Sequence, residues 1–269
     1  MRGRASMLDA LDGVTREGVE HRRGYIARFW EARYGGVLLR EFALLAVMLW
    51  LYKYVRYLAK HETADAFQNA ERVLHFERVL GLGFEAPLQQ LLLPYKGVIV
   101  GFNRYYVTVH FLGTVAFLVW AFVRSLGEYR KLRSVLVAVT LGALAIHVLF
   151  PLAPPRMMPG FVDTMVLYGP NPYNSQAVQS FANQYAAMPS LHVGWALIVA
   201  YGVITISRSR FRWLIIAHPV LTVLAVTVTA NHYWLDGAVA AVLVVWAVVT
   251  LGRPAEQRVR ERGLVTAPG

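Results

Sequence analysis

The chain has 269 residues, of which 57% are hydrophobic and only 16% charged, and its mean hydropathy of +0.43 excludes an ordinary soluble domain. A formal charge of +11 would suggest nucleic acid in a soluble chain, but here the basic residues have first to be placed against the apolar runs. There is no cysteine, which excludes disulfides and thiolate metal sites.

Residues 1–34 alternate charge with short apolar steps and lack the apolar core of a signal peptide, so they are expected to form a basic cytoplasmic arm. Six stretches, 35–55, 98–123, 135–153, 190–206, 213–231 and 236–252, approach the roughly 20 apolar residues needed to cross about 30 Å of hydrocarbon. Backbone polar groups in lipid have to be satisfied within the segment, so these runs are predicted helices. The expected fold is all-α: a polytopic membrane protein with a six-transmembrane-helix bundle over 35–252 and a cytoplasmic tail at 253–269. Between the first two spans, 64–93 shows helical periodicity interrupted at Gly81, Gly83 and Pro87. It is expected to lie along the outer interface as an amphipathic segment, with Glu71, His75 and Glu77 on its solvated polar face.

Segments 1–34, 124–134, 207–212 and 253–262 hold 18 of the 27 Lys and Arg, which places them, and both termini, in the cytoplasm. The loop 153–189 and the short link 232–235 then face outside. The basic excess is therefore topological, which removes the case for a nucleic-acid partner and leaves the bilayer as the expected one.

Polar residues collect on the outer side. The 153–189 loop opens with APPRMMPG, whose prolines hold the backbone extended and present Arg156 just outside the third span. It closes with MPSLH, which places Ser190 and His192 at the mouth of the fourth span, where a helix N-terminus favours anions, phosphate above all. The second cluster is TANHYWLDGAVA, 229–240. With a helix from Tyr233 onward, His232 and Asp236 share a face, so the carboxylate can hold one imidazole nitrogen and leave the other nucleophilic.

Other polar residues carry less specific expectations. Arg104 lies less than two turns inside the second span, where a guanidinium calls for a carboxylate partner or a phosphate substrate. His110 and His147 are expected to pack or hydrogen-bond away from the cluster, and His218, beside Pro219, to mark a helix irregularity. Tyr105 and Tyr106 are expected in the aromatic belt, and Asp163 as the cap of a short loop helix. His192, His232 and Asp236 have weak spacing for zinc, and HExxH is absent, so neither metal nor other cofactor is expected. Nor is there a G-x-S-x-G elbow for a serine hydrolase.

At these residues the chain resembles the type 2 phosphatidic acid phosphatase superfamily of lipid phosphatases and phosphotransferases, whose motifs are K-x6-R-P, P-S-G-H and S-R-x5-H-x3-D. PSLH at 189–192 matches the second motif except for Leu191 at the glycine, and HYWLD at 232–236 supplies the third motif's His-x3-Asp. Leu149 and Val226 stand where the family has lysine and arginine, Met157 follows Arg156 in place of proline, and Arg104 is a candidate replacement charge. Motifs relaxed in this way look most like the inositol phosphorylceramide synthase-like, or inositolphosphotransferase, branch.

The resemblance implies an enzyme that hydrolyses or transfers the phosphoester group of a lipid phosphate or phospholipid at the outer membrane face. It implies His232 as the nucleophile forming a phosphohistidine, Asp236 orienting it, and His192 protonating the departing alcohol. Ser190 and Arg156 would hold the phosphoryl oxygens. The competing reading is a non-enzymatic transporter or lipid-binding protein with a degenerate site, although the sequence shows no inverted repeat.

Overall fold

The computed structural model describes residues 63–170 and 184–252 and part of 36–54. The predicted arm 1–34, the tail 253–269 and the middle of the 153–189 loop lie outside the described residues, and the predicted span 35–55 is described only in part. The chain divides into two compact units, Met1–Tyr54 and Val55–Gly269. In the first, the described residues are helical, and the Trp50 and Tyr54 rings stack at 5.6 Å one turn apart.

The second unit is helical, with no strand among the described residues. In chain order it comprises α1 (Thr63–Val79), α2 (Glu85–Leu92), α3 (Lys96–Arg104), α4 (His110–Arg124), α5 (Leu126–Leu149), α6 (Thr164–Tyr168), α7 (Leu191–Ile206), α8 (Ala217–Val228) and α9 (Trp234–Leu251). A π-helical turn at Tyr105–Val109 joins α3 to α4, and a 3-10 stretch at Arg210–Ile216 leads into α8. Four helices are long and apolar enough to cross a membrane: Lys96–Arg124, Leu126–Leu149, Arg210–Val228 and Trp234–Leu251.

The predicted span 190–206 is α7, whose 16 residues make it shorter than those four. At 1.5 Å per residue it is about 24 Å long, less than the roughly 30 Å of a hydrocarbon core. It sits at the centre, packed against α4, α5, α8 and α9. Two glycines let neighbours close on it. A Cβ on Gly194 would meet Val139 at 3.4 Å, and one on Gly202 would meet the Phe117 ring at 2.3 Å. Around it Phe117, Leu132, Val135, Val139, Ile198 and Val244 form the main apolar core.

The basic segment 124–134, which lies between the predicted spans 98–123 and 135–153, is largely the first turns of α5. Only Ser125 breaks the chain direction, and its hydroxyl accepts the Glu128 N–H as an N-cap. The basic stretch runs at the end of the bundle away from the starts of α7 and α9, so charged groups extend the helix instead of ending it.

At the opposite end a second cluster lies under the loops. Ala66, Ala70 and Val73 of α1 pack against Leu152, Ala153, Met188 and Tyr233. Leu152 N–H donates to Tyr185 O at 2.8 Å, Ala187 N–H to Leu152 O at 3.3 Å, and Ala153 N–H to Ala66 O at 3.1 Å. Buried amides add rigid ties. Gln89 of α2 bonds both Val162 and Val228, while Asn103 of α3 bonds Thr164 and Gly169.

The close contact at Gly202 sets the first prediction. Gly202→Ala overpacks Phe117 and Leu132 and is expected to lose about 1–3 kcal/mol of stability. Gly113→Ala on α4, where nothing lies within 4 Å, is expected to be neutral or slightly stabilising. Thermal unfolding of the two variants in detergent checks the contrast.

Candidate active site

Three loops converge at the ends of α5, α7, α8 and α9. The α8–α9 turn is set by a chain reversal at Ala230, whose φ of +53 is left-handed. Asn231 N–H reaches back to Val226 O at 2.9 Å and Ala230 N–H to Thr227 O, a helix C-terminal closure with alanine where glycine is the usual residue. Such a residue is held by its surroundings. Here the Ala230 carbonyl accepts the Arg156 N–H at 2.8 Å, which ties the turn to the first active-site loop.

His232 follows directly and is buried. Its Nδ1 lies 2.8 Å from Ala187 O and 3.2 Å from Asp236 Oδ2. Two acceptors facing Nδ1 place the proton there and leave Nε2 with its lone pair. The sequence paired His232 with Asp236 alone; the shorter contact is to the Ala187 carbonyl, which the next loop supplies. Burial above all pulls the imidazole down to about 4, with Arg156 adding to the effect and the Ala187 bond opposing it, so the ring is neutral near pH 7.

Asp236, fully buried, accepts the Tyr233 N–H at 2.9 Å, and its own carbonyl accepts the Ser190 N–H at 3.1 Å. Thus the PSLH and HYWLD segments are joined by backbone as well as by side chains. Ser190 is the N-cap of α7: its hydroxyl accepts the Val193 N–H at 3.3 Å and is buried. His147 of α5 places Nε2 3.4 Å from Pro189 O, so it has a hydrogen-bonding role, but on the PSLH segment itself rather than away from the cluster.

His192, in the first turn of α7, stands with its ring 5.7 Å from that of His232. Tyr106 stacks on its other side at 4.1 Å, and His110 lies 4.6 Å away. Both corrections trace to the π-helical turn, which sequence periodicity does not reveal. The wider turn lets adjacent tyrosines reach different histidines, Tyr105 donating to or accepting from His218 Nδ1 at 2.6 Å while Tyr106 covers His192. Tyr106 is therefore a site residue and His110 its neighbour, rather than a belt tyrosine and a remote packing histidine.

Arg156 is brought in as expected. Its Nη1 donates to Asn231 Oδ1 at 2.7 Å, and its Nε lies 3.5 Å from Asp163 Oδ2. Asp163 also caps α6 by accepting the Met165 and Val166 N–H groups, as the sequence suggested. Asn231, which the sequence did not single out, anchors the arginine. Arg104 is exposed, and it is the adjacent Asn103 that turns inward, so the structure does not bring Arg104 to the histidines. Among the described residues no group of three His, Cys, Asp or Glu is arranged to hold a metal ion.

Glu77 corrects another expectation. Glu71 and His75 are exposed, but Glu77 is fully buried and accepts the Leu235 N–H at 2.7 Å, while Glu85 accepts the Trp234 N–H at 3.4 Å. The polar face of α1 therefore ends at Glu77, because the start of α9 needs acceptors there.

The molecule is thus a polytopic helical membrane protein with a buried histidine–aspartate pair, a second histidine and a fixed arginine at one end of its bundle. The family model of the PAP2 superfamily matches residues 71–251, and the chain belongs to that superfamily, as a phosphatase-type membrane enzyme. No curated protein and no solved structure gives a significant match.

Tyr233 anchors this end through its hydroxyl, which donates to Ala153 O at 2.9 Å. Burial, then the carboxyls of Asp236, Glu77 and Glu85, push the phenol upward and keep it a donor. Tyr233→Phe leaves a buried carbonyl unpaired and is expected to lower stability by about 1–3 kcal/mol, read as a lower melting temperature in detergent.

Proposed function

We propose that the protein cleaves or transfers the phosphoester group of a lipid phosphate or phospholipid through a phosphohistidine on His232, at the outer face of the membrane. The observation that carries this reading is the His232 ring itself: Nδ1 is engaged by Ala187 and Asp236, and the free edge stands beside His192. Nε2 attacks phosphorus, the bond from phosphorus to the lipid alkoxide oxygen breaks, and His192 gives that oxygen its proton. His192 then takes a proton from water or an acceptor hydroxyl, whose oxygen attacks phosphorus and releases Nε2. Arg156 and the N-terminal turn at Ser190 meet the equatorial oxygens, where phosphoryl transfer concentrates its charge. Arg104, exposed on α3, is assigned a contact with the substrate headgroup away from the phosphorus. No step calls for a metal or another cofactor.

Leu191 in place of glycine and the relaxed basic motifs favour transfer to an alcohol such as inositol over hydrolysis. The deciding assay presents purified protein in vesicles with a panel of lipid phosphates and phospholipids, with and without inositol, and measures phosphate release and headgroup transfer. His232→Ala is expected to abolish turnover and acid-labile phosphoryl labelling, and Asp236→Asn to lower kcat by about 10²–10⁴ with a smaller change in KM. Equal behaviour of wild type and His232→Ala would leave a non-enzymatic lipid-binding protein instead.

Orientation has its own test, aided by a chain without native cysteine. A cysteine introduced at Gly160 is expected to react with an impermeant thiol reagent added to intact cells, and one at Arg130 only after permeabilisation. The reverse pattern would overturn the outward-facing site and the cytoplasmic termini.

A further inference from the structure

The first N–H groups of a helix have no acceptor within it, and burying them unpaired is costly. At the start of α9, Asp236 reaches back to the Tyr233 N–H, which leaves those of Trp234 and Leu235. Neither goes to water or to a local cap. Leu235 N–H donates to Glu77 Oε1 of α1 at 2.7 Å, and Trp234 N–H to Glu85 Oε1 of α2 at 3.4 Å. These are contacts across 158 and 149 residues of sequence, made by two carboxyls that are 0% and 1% exposed.

The two carboxyls thus accept from successive N–H groups of one helical turn, and Glu77 Oε2 is buried with no other hydrogen-bond partner. Two buried carboxylates on adjacent N–H groups repel each other, and a proton held on one of them removes that repulsion. Burial first, and then the neighbouring Glu85, push Glu77 up to about 9, against the lowering effect of the Leu235 N–H. The other titratable groups facing the pair are Tyr233 and Asp236 of α9. A single shared negative charge suits a helix N-terminus, where two would repel each other.

We propose that Glu77 and Glu85 form a one-proton carboxyl–carboxylate clamp that positions the first turn of α9 and, through Asp236, the His232 imidazole. This rests on the reading of His232 as nucleophile. Both glutamates are positioning residues: they touch backbone N–H groups of Trp234 and Leu235, not the reacting atoms.

The clamp makes distinguishable predictions because glutamine reproduces the protonated partner, with one acceptor for Leu235 and one donor for Glu85. Glu77→Gln is expected to keep kcat within about threefold of wild type at pH 7, whereas Glu77→Ala lowers kcat about 10- to 100-fold with KM nearly unchanged. Above pH 9 wild-type kcat falls as the clamp loses its proton, and Glu77→Gln stays level. Infrared spectroscopy of the full chain at pH 8 should show a carboxylic-acid carbonyl band that is lost in Glu77→Gln, a readout independent of turnover. Absence of that band, or equal kcat for Glu77→Ala and wild type, overturns the clamp. His232→Ala measured in parallel separates the two ideas: a fully active His232→Ala sinks the nucleophile reading, while the infrared band still decides whether the pair shares a proton.

Discussion

The first turn of α9 is the constraint on which the active end of this protein depends. Tyr233 precedes that helix and offers no ordinary capping oxygen, so the orphan N–H groups are shared among Asp236, Glu85 and Glu77. The same aspartate faces His232 Nδ1, and its carbonyl holds the Ser190 N–H. One helical turn therefore fixes α1, α2, α7 and the turn that carries His232 at once. In a chain this apolar, the polar groups that remain are concentrated where backbone would otherwise be buried without partners.

Packing supplies the other half of the geometry. The glycines of α7 allow α4, α5 and α9 to approach its axis, which puts the start of a short central helix within the ring of longer ones. His192 is thereby covered by Tyr106 and His110 on one side and set beside His232 on the other. A looser bundle would leave the same side chains in place along the sequence but hold the two histidine rings farther apart.

How much of this was legible follows from which interactions are local. His232 and Asp236 are four residues apart on a helix start, and Ser190 caps the helix it introduces, so sequence spacing found both. Asp163 likewise caps its own short helix. Glu77, Glu85, Gln89 and Asn231 act across tens or more than a hundred residues, and nothing in their own neighbourhood distinguishes a buried acceptor from a solvated one. The π-helical turn that delivers Tyr106 to His192 changes the helical period that pattern reading assumes. The basic run 124–134 falls outside the apolar stretches by composition, yet it is carried on the helix α5. Arg104 shows the converse: depth along a span does not say which face a side chain takes, and here Asn103 takes the inner one.

Two neighbouring helices begin at this end with opposite electrostatics. Each N-terminus carries the equivalent of roughly half a positive charge. That of α9 is met by Asp236 and by the Glu77–Glu85 pair, so little of its field is left for a ligand. That of α7 is capped only by the neutral hydroxyl of Ser190, and its first turn carries His192. Arg156 is held by Asn231 and paired with Asp163, so its charge is met in part, while the start of α7 lies on the side where His192 stands beside His232. An anion entering there meets fixed dipoles in a poorly solvated site, where each is worth more than in water. The carboxyls at the start of α9 thus offset one helix N-terminus and leave that of α7 without an acidic cap among the described residues.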